Sequence, residues 1–225
     1  MTIDVIILSY AKNDEIVQMN IDCINSILDS TNTYNFNFII VETEKNKSFN
    51  YPFKNLKIIQ PNENFNYNRF LNFGLNYCEN DWILISNNDT IYHKNFLEKM
   101  FESHNLNNEI LSMSPMDDNW HCHKTFDKSI PIHYGYRVPH EITGWSILLN
   151  KLVIEKIGKF DETFNFWYQD NDYAANLVVN NIKHALITDS KITHLTSKSH
   201  NLIDEEKKYE FTNGSSYKFK NKWLK

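Results

Sequence analysis

The 225-residue sequence predicts an α/β fold, with a mostly parallel sheet flanked by helices in a single domain. Three observations carry this expectation. Short β-branched and aromatic runs alternate with segments of helical periodicity. One of these runs, Trp82-Ile83-Leu84-Ile85, suits a buried strand, is too short for a typical helix, and passes abruptly into Ser86-Asn87-Asn88-Asp89-Thr90. No internal repeat, Gly/Ser linker or shift of composition divides the chain, whose length is enough to bury a substantial core.

In chain order, Val5-Ile6-Ile7-Leu8 is a first strand beginning near Ile3. Asn13 or Asp14 caps a helix running to about Asp29, with apolar positions from Ile16 to Leu28. Phe36 to Val41 and Leu56 to Ile59 are the next strands, the former followed by Glu42. A helix around Phe70 to Tyr77 precedes the strand at Trp82 to Ile85. Beyond Asp89, the sequence predicts a helix over 95–104 and a short strand over 109–113. Residues 114–140 lose periodicity and are rich in Pro, His, Asp, Tyr and Trp; such an irregular length is usually functional or disordered, and its aromatics argue for an ordered loop. A strand over 142–149, a short helix stopped by Gly158, and a helix over 170–181 follow. Two short strands, Ala185-Leu186-Ile187 and Ile192-Thr193-His194, precede a charged tail with a basic, aromatic end.

Composition excludes some classes of function. A net charge of −5 argues against a broad basic face for nucleic acid. No apolar run approaches the length of a membrane span. The N-terminus lacks the basic region and cleavage site of a secretory signal, and Cys23, Cys78 and Cys122 are scattered and odd in number. Free thiols in a reducing, cytoplasmic setting are expected.

A buried strand ending in a carboxylate sets that carboxylate at the edge of an α/β sheet where ligands bind. Asp89 therefore suits a hard cation that also holds a phosphate. The residues alone leave an Asn-rich turn, with Asp89 capping the next helix, equally open.

Several stretches, taken in order, break the tie. Residues 5–13, Phe65 to Gly74, Ile85 to Thr90, Gly144-Trp145 with Val153 to Glu162, and Trp167-Tyr168-Gln169-Asp170-Asn171-Asp172-Tyr173 resemble successive motifs of the inverting, family 2-like glycosyltransferases. The resemblance covers roughly residues 3–200. It implies a GT-A-type, Rossmann-like fold and transfer of a sugar from a nucleoside diphosphate donor, UDP favoured over dTDP, to a glycan or lipid-linked acceptor. It also divides the single domain of 1–225 into a nucleotide-binding half (1–90), an acceptor and catalytic half (91–200) and a C-terminal helical tail (201–225).

The resemblance further implies roles for individual residues. Asp170 matches the catalytic base that takes the acceptor's proton; with Asp172, its alternative is to cap the helix that follows. Asp172 is otherwise expected to hold the acceptor, and Trp145 to stack on the acceptor sugar or pack as a core ring. Ser9, Tyr10, Glu42, Asn68, Arg69 and Asn88 are the expected nucleotide contacts, Arg69 through its fork of donors. Asp89 and His194 are the expected metal ligands. An imidazole ligand favours Mn2+ over Mg2+. Asn87 stands where the family pattern has its first Asp, and Gln169 where relatives often carry Glu. Those departures leave open a non-catalytic sugar-nucleotide- or glycan-binding relative. A nucleotidyltransferase is the other alternative, without a Gly-rich phosphate loop to support it. His121-Cys122-His123 lacks a second ligand pair for structural zinc. The tail is expected to pack on the domain, with peripheral membrane contact as its alternative.

Overall fold

The computed structural model describes residues 1–121, 126–165, 167–195 and 205–224, with side chains from 214 onward in the last of these. The chain begins with β1 (Thr2–Ser9), α1 (Asp14–Ser30), β2 (Asn35–Glu42), β3 (Leu56–Ile59), α2 (Tyr67–Leu75) and β4 (Trp82–Asn87). It continues through β5 (Thr90–Tyr92), α3 (Phe96–Leu106), β6 (Ile110–Asp117), α4 (Asp118–His121), β7 (Ile132–Tyr134) and β8 (Ser146–Asn150). It closes with α5 (Lys151–Ile157), α6 (Gln169–Val179), β9 (Lys183–His194) and α7 (Glu205–Trp223).

These strands form one sheet of order β3-β2-β1-β4-β8-β6-β9-β5, with β7 also pairing β9. The half from β3 to β4 is wholly parallel. The other half is mixed, because β8 runs antiparallel to β4 and β6, and β5 and β7 run antiparallel to β9. The expected α/β layering and GT-A-like architecture are present.

Side chains alternate across the sheet with the strand period of two. Ile3, Val5 and Ile7 of β1, with Phe36, Phe38 and Ile40 of β2, face the core shared with α1 and α3. Ile6, Ile39, Val41, Ile83 and Ile85 face the opposite core, shared with α2, α5 and α6. A strand buried on both faces reads as an uninterrupted apolar run, which is how β1 and β4 appear in the sequence. Gly74 lets α2 lie close on β1, since a Cβ there would fall 2.7 Å from the Ile6 side chain.

Three expectations change. The strand expected from Ile142 begins at Ser146, and residues 143–145 are its irregular lead-in. The two short strands near the C-terminal end are one twelve-residue strand, β9, with a bulge against β6 between Pro115 and Met116. The aperiodic 114–140 region contains the end of β6, then α4 and β7. Gly, Pro and His there break the sequence pattern without breaking strand pairing.

Candidate active site

The parallel half brings its strand ends to one rim. Register places Ser9 beside Glu42, and Leu8 beside Asn87. Glu42 is fully buried; its Oε1 accepts the backbone N–H of Ala11 at 2.9 Å and of Glu44 at 2.8 Å. Its Oε2 is buried with no hydrogen-bond partner, an acceptor in need of a donor. Behind the rim, the Asn20 amide donates to Ser9 Oγ at 2.8 Å and to the Tyr51 hydroxyl at 2.7 Å, while its carbonyl accepts Asn88 Nδ2 at 3.0 Å. Ser9 and Asn88 are thus tied to α1 and hold the shape of the rim. Tyr10 is exposed, with the Lys12 ammonium 4.2 Å from its ring centroid.

The turn after β4 holds Asp89. The short strand β5 pairs with the end of β9, setting Thr90 opposite His194. The Asp89 carbonyl also accepts the Leu195 N–H at 2.8 Å. These backbone bonds bring Asp89 Oδ1 to 3.2 Å from His194 Nε2. At that distance the nitrogen is not aligned for a hydrogen bond, and it is buried without any other partner. A carboxylate oxygen and an orphaned imidazole nitrogen side by side fit two positions of a divalent cation's shell. No group of three His, Cys, Asp or Glu that could hold a metal occurs among the described residues, so this pair would hold a cation together with oxygens from a ligand or water. Trp145 stacks on the His194 ring, with centroids 4.8 Å apart and planes 11° apart. Trp120 meets Trp145 edge-on at 5.7 Å and is 38% exposed.

The antiparallel course of β8 matters here. Its lead-in, Thr143-Gly144-Trp145, reaches the carboxyl end of β4, where Asn87 N–H bonds the Trp145 carbonyl at 2.9 Å. Asp170, in the first turn of α6, points at Gly144: a Cβ on that glycine would lie 2.3 Å from Asp170 Oδ2. Only glycine leaves room for the carboxylate in this place. Burial pushes the Asp170 carboxyl up to about 6. The N-cap of α6 is Tyr168, left-handed and without a side-chain cap bond, and Asp170 and Asp172 stand in the first turn, where a helix N-terminus favours carboxylates. Tyr67 donates to the Gly144 carbonyl at 3.3 Å, and burial followed by the charges of Asp170 and Asp89 pushes its phenol up. Tyr67, Asn68, Gly144, Gln169, Asp170 and Tyr173 line a pocket, and Gln169 Oε1 is buried there without a partner.

Asn68, Arg69 and Asp172 have other duties. Asn68 is buried and donates to the Asp161 carbonyl at 2.8 Å, so its amide anchors the segment leading to α6 even as it lines the pocket. Asn66 and Asn72 do the same, bonding the carbonyls of Glu162 at 2.8 Å and Phe160 at 2.9 Å. Arg69 pairs with Glu162 at 2.8 Å and Glu63 at 3.2 Å on the surface. Asp172 is buried, and its carboxylate is taken by Trp223 Nε1 at 2.7 Å, Lys222 Nζ at 2.8 Å and Asn176 Nδ2 at 3.2 Å. His121 also has both ring nitrogens in use: Nδ1 accepts the Asp117 N–H and Nε2 donates to the His140 carbonyl, each at 3.0 Å. Cys122 and His123 lie outside the described residues.

Sequence reasoning gave no role to Gly144, Tyr67 or Trp120. A signal existed for Gly144, because it is one of five glycines and stands beside a candidate aromatic. Nothing in the sequence tied Tyr67 or Trp120 to distant residues.

Residues 4–169 match the Glycosyl transferase family 2 model. That match, together with the α/β sheet, places the chain in the class of glycosyltransferases of GT-A type. The chain belongs to glycosyl transferase family 2 and is a glycosyltransferase, with a nucleotide-sugar donor and an acceptor as its substrates. No curated protein matches the chain. No helix among the described residues is long and apolar enough to cross a membrane.

Proposed function

We propose that the protein is an inverting hexosyltransferase that uses a nucleoside diphosphate sugar, a UDP-sugar first, and a divalent cation, Mn2+ ahead of Mg2+, to glycosylate a glycan or lipid-linked acceptor. The observation that carries this reading is Asp170. It is a carboxyl group raised to about 6 by burial, held against Gly144 at the rim of the sheet. A base of that pKa is ionised at neutral pH and still accepts a proton readily.

In the reaction, Asp170 takes the proton of the acceptor hydroxyl as that oxygen attacks the anomeric carbon. The bond from that carbon to the diphosphate oxygen breaks, the electron pair leaves with the phosphate, and configuration inverts. A bound cation supplies positive charge against the leaving diphosphate. Asp89 and His194 are the residues that would hold it. The free Glu42 Oε2 suits the N–H of a uracil or thymine ring. Arg69 is already engaged by two glutamates; the diphosphate is therefore assigned to the Asp89 side, where the cation would sit. Trp145 gives one ring face to His194, so Trp120 offers the outer aromatic surface for the apolar face of an acceptor sugar. Phe219, Lys222 and Trp223 of the tail face the domain, which favours docking over membrane contact.

A thermal-shift panel of nucleoside diphosphates and their sugars, with and without Mn2+, tests this reading. A ligand that binds only the folded protein raises the melting temperature by mass action. A cation-dependent rise with UDP or a UDP-sugar is expected. No rise with any nucleotide would overturn the donor assignment.

A further inference from the structure

The structure assigns Lys222 and Trp223 of α7 as positioning residues for Asp170. This inference rests on the reading of Asp170 as the base. α7 lies beyond the region matched to the family. The need for such residues is visible in α6, whose start lacks a side-chain cap although it carries the base. The carboxylate lies against Gly144, where a Cβ would displace it. Misplacement of a reacting group by about 1 Å costs on the order of 100-fold in rate.

α7 supplies the missing restraint from both sides of Asp170. On the C-terminal side, Lys222 and Trp223 bind the buried Asp172 carboxylate within the same first turn. On the N-terminal side, Phe219 packs on Tyr168, with centroids 5.5 Å apart. Lys222 also reaches Asp161 at 2.7 Å, and Lys218 donates to the Thr163 carbonyl at 2.9 Å. One ammonium thus joins the start of the 161–168 segment to the first turn of α6. Partial burial acts against the Lys222 charge, but its bonds to Asp161 and Asp172 outweigh this and raise its pKa. Without Lys222, Asp172 would be a buried carboxylate lacking its counter-charge, a state that forces local rearrangement.

The test compares Lys222→Met, Lys222→Arg, Trp223→Phe and Asp170→Asn with wild type, following UDP release from UDP-glucose and UDP-N-acetylglucosamine with Mn2+, water serving as the acceptor. Lys222→Met is expected to lower kcat about 10- to 100-fold with the donor KM within about twofold, and Lys222→Arg to recover most of the loss by restoring the charge. Trp223→Phe keeps an aromatic ring, though a smaller one, and loses the indole N–H, and should lower kcat about three- to fivefold; it decides the matter if Lys222→Met does not fold. Wild-type kcat in both Lys222→Met and Trp223→Phe overturns the inference. So does a Lys222→Met loss shared equally by kcat and KM that arginine does not repair. An active Asp170→Asn enzyme, or a wild type inert toward both donors, overturns instead the reading on which it rests.

Discussion

Replacing Asp170 by Asn removes one ionisable proton at nearly constant volume, and burial makes the consequence calculable. The carboxyl is raised from 3.8 to about 6 in the folded chain. The folded state therefore holds this proton more tightly than the unfolded state. Its contribution is fully present below the unfolded value and is lost as pH rises through about 6. A proton held tenfold more tightly corresponds to about 1.4 kcal/mol, so the wild type forgoes at most about 3 kcal/mol well above pH 6. The carboxyl end is the enclosed part of a residue that keeps some exposure overall, and solvent screening reduces the expected difference to about 1–2 kcal/mol. For a chain of this size that is a rise of about 2–8 °C in melting temperature for Asp170→Asn near pH 8, shrinking toward about pH 4.5. The same variant should lose about 100- to 10,000-fold in transfer, while wild-type kcat should rise with pH through about 6. Calorimetric melts at several pH values, paired with UDP release, read both effects. Equal melting temperatures throughout would refute the burial argument, and near-normal turnover would refute the assignment of the base.

Other outcomes follow from the rim. Gly144→Ala should cut kcat about 100-fold by pushing Asp170 aside, with donor affinity by calorimetry unchanged; normal turnover would mean the carboxylate moves freely. Asp89→Ala and His194→Ala should each abolish the Mn2+-dependent part of the UDP thermal shift, and persistence of that shift in both would place the cation elsewhere. Glu42→Ala should weaken UDP binding by about 10-fold, through loss of the free oxygen and of the restraint on the Ala11 N–H; unchanged affinity would remove Glu42 from the base site. Trp120→Ala should raise the acceptor KM and leave the donor KM alone, and equal changes in both would argue against an acceptor surface there.

Much of this arrangement is legible in sequence because its cause is local. β1, β2 and β4 are buried on both faces, so their apolar runs and the polar residues closing them mark the rim directly. Asp89 follows from its place after a strand, and Asp170 from the resemblance of residues 167–173 to a family motif. What stays hidden is produced by pairing between distant segments. Three residues suffice for β5, yet its register with β9 is what sets Asp89 beside His194. Asp172 and Arg69 carry the right chemistry for ligands, but partners at Lys222, Trp223, Glu63 and Glu162 claim them, and no local pattern announces those partners. Gly144 is conspicuous as a glycine, whereas the carboxylate that needs its missing Cβ lies 26 residues on.

The reversed direction of β8 has an evolutionary reading. On the nucleotide side, the rim is made where strands finish, so each contact there is followed by its own connection. On the side proposed for the acceptor, Gly144 and Trp145 stand where a strand begins, and the segment running from β7 to them precedes all of β8. Exchange within 137–140, short of the buried Glu141 and Ile142, would alter the approach to the sugar's new partner without lengthening any connection that leaves β1, β2 or β4. Two chain polarities meeting at one rim would thus let a change of acceptor leave the proposed donor contacts untouched.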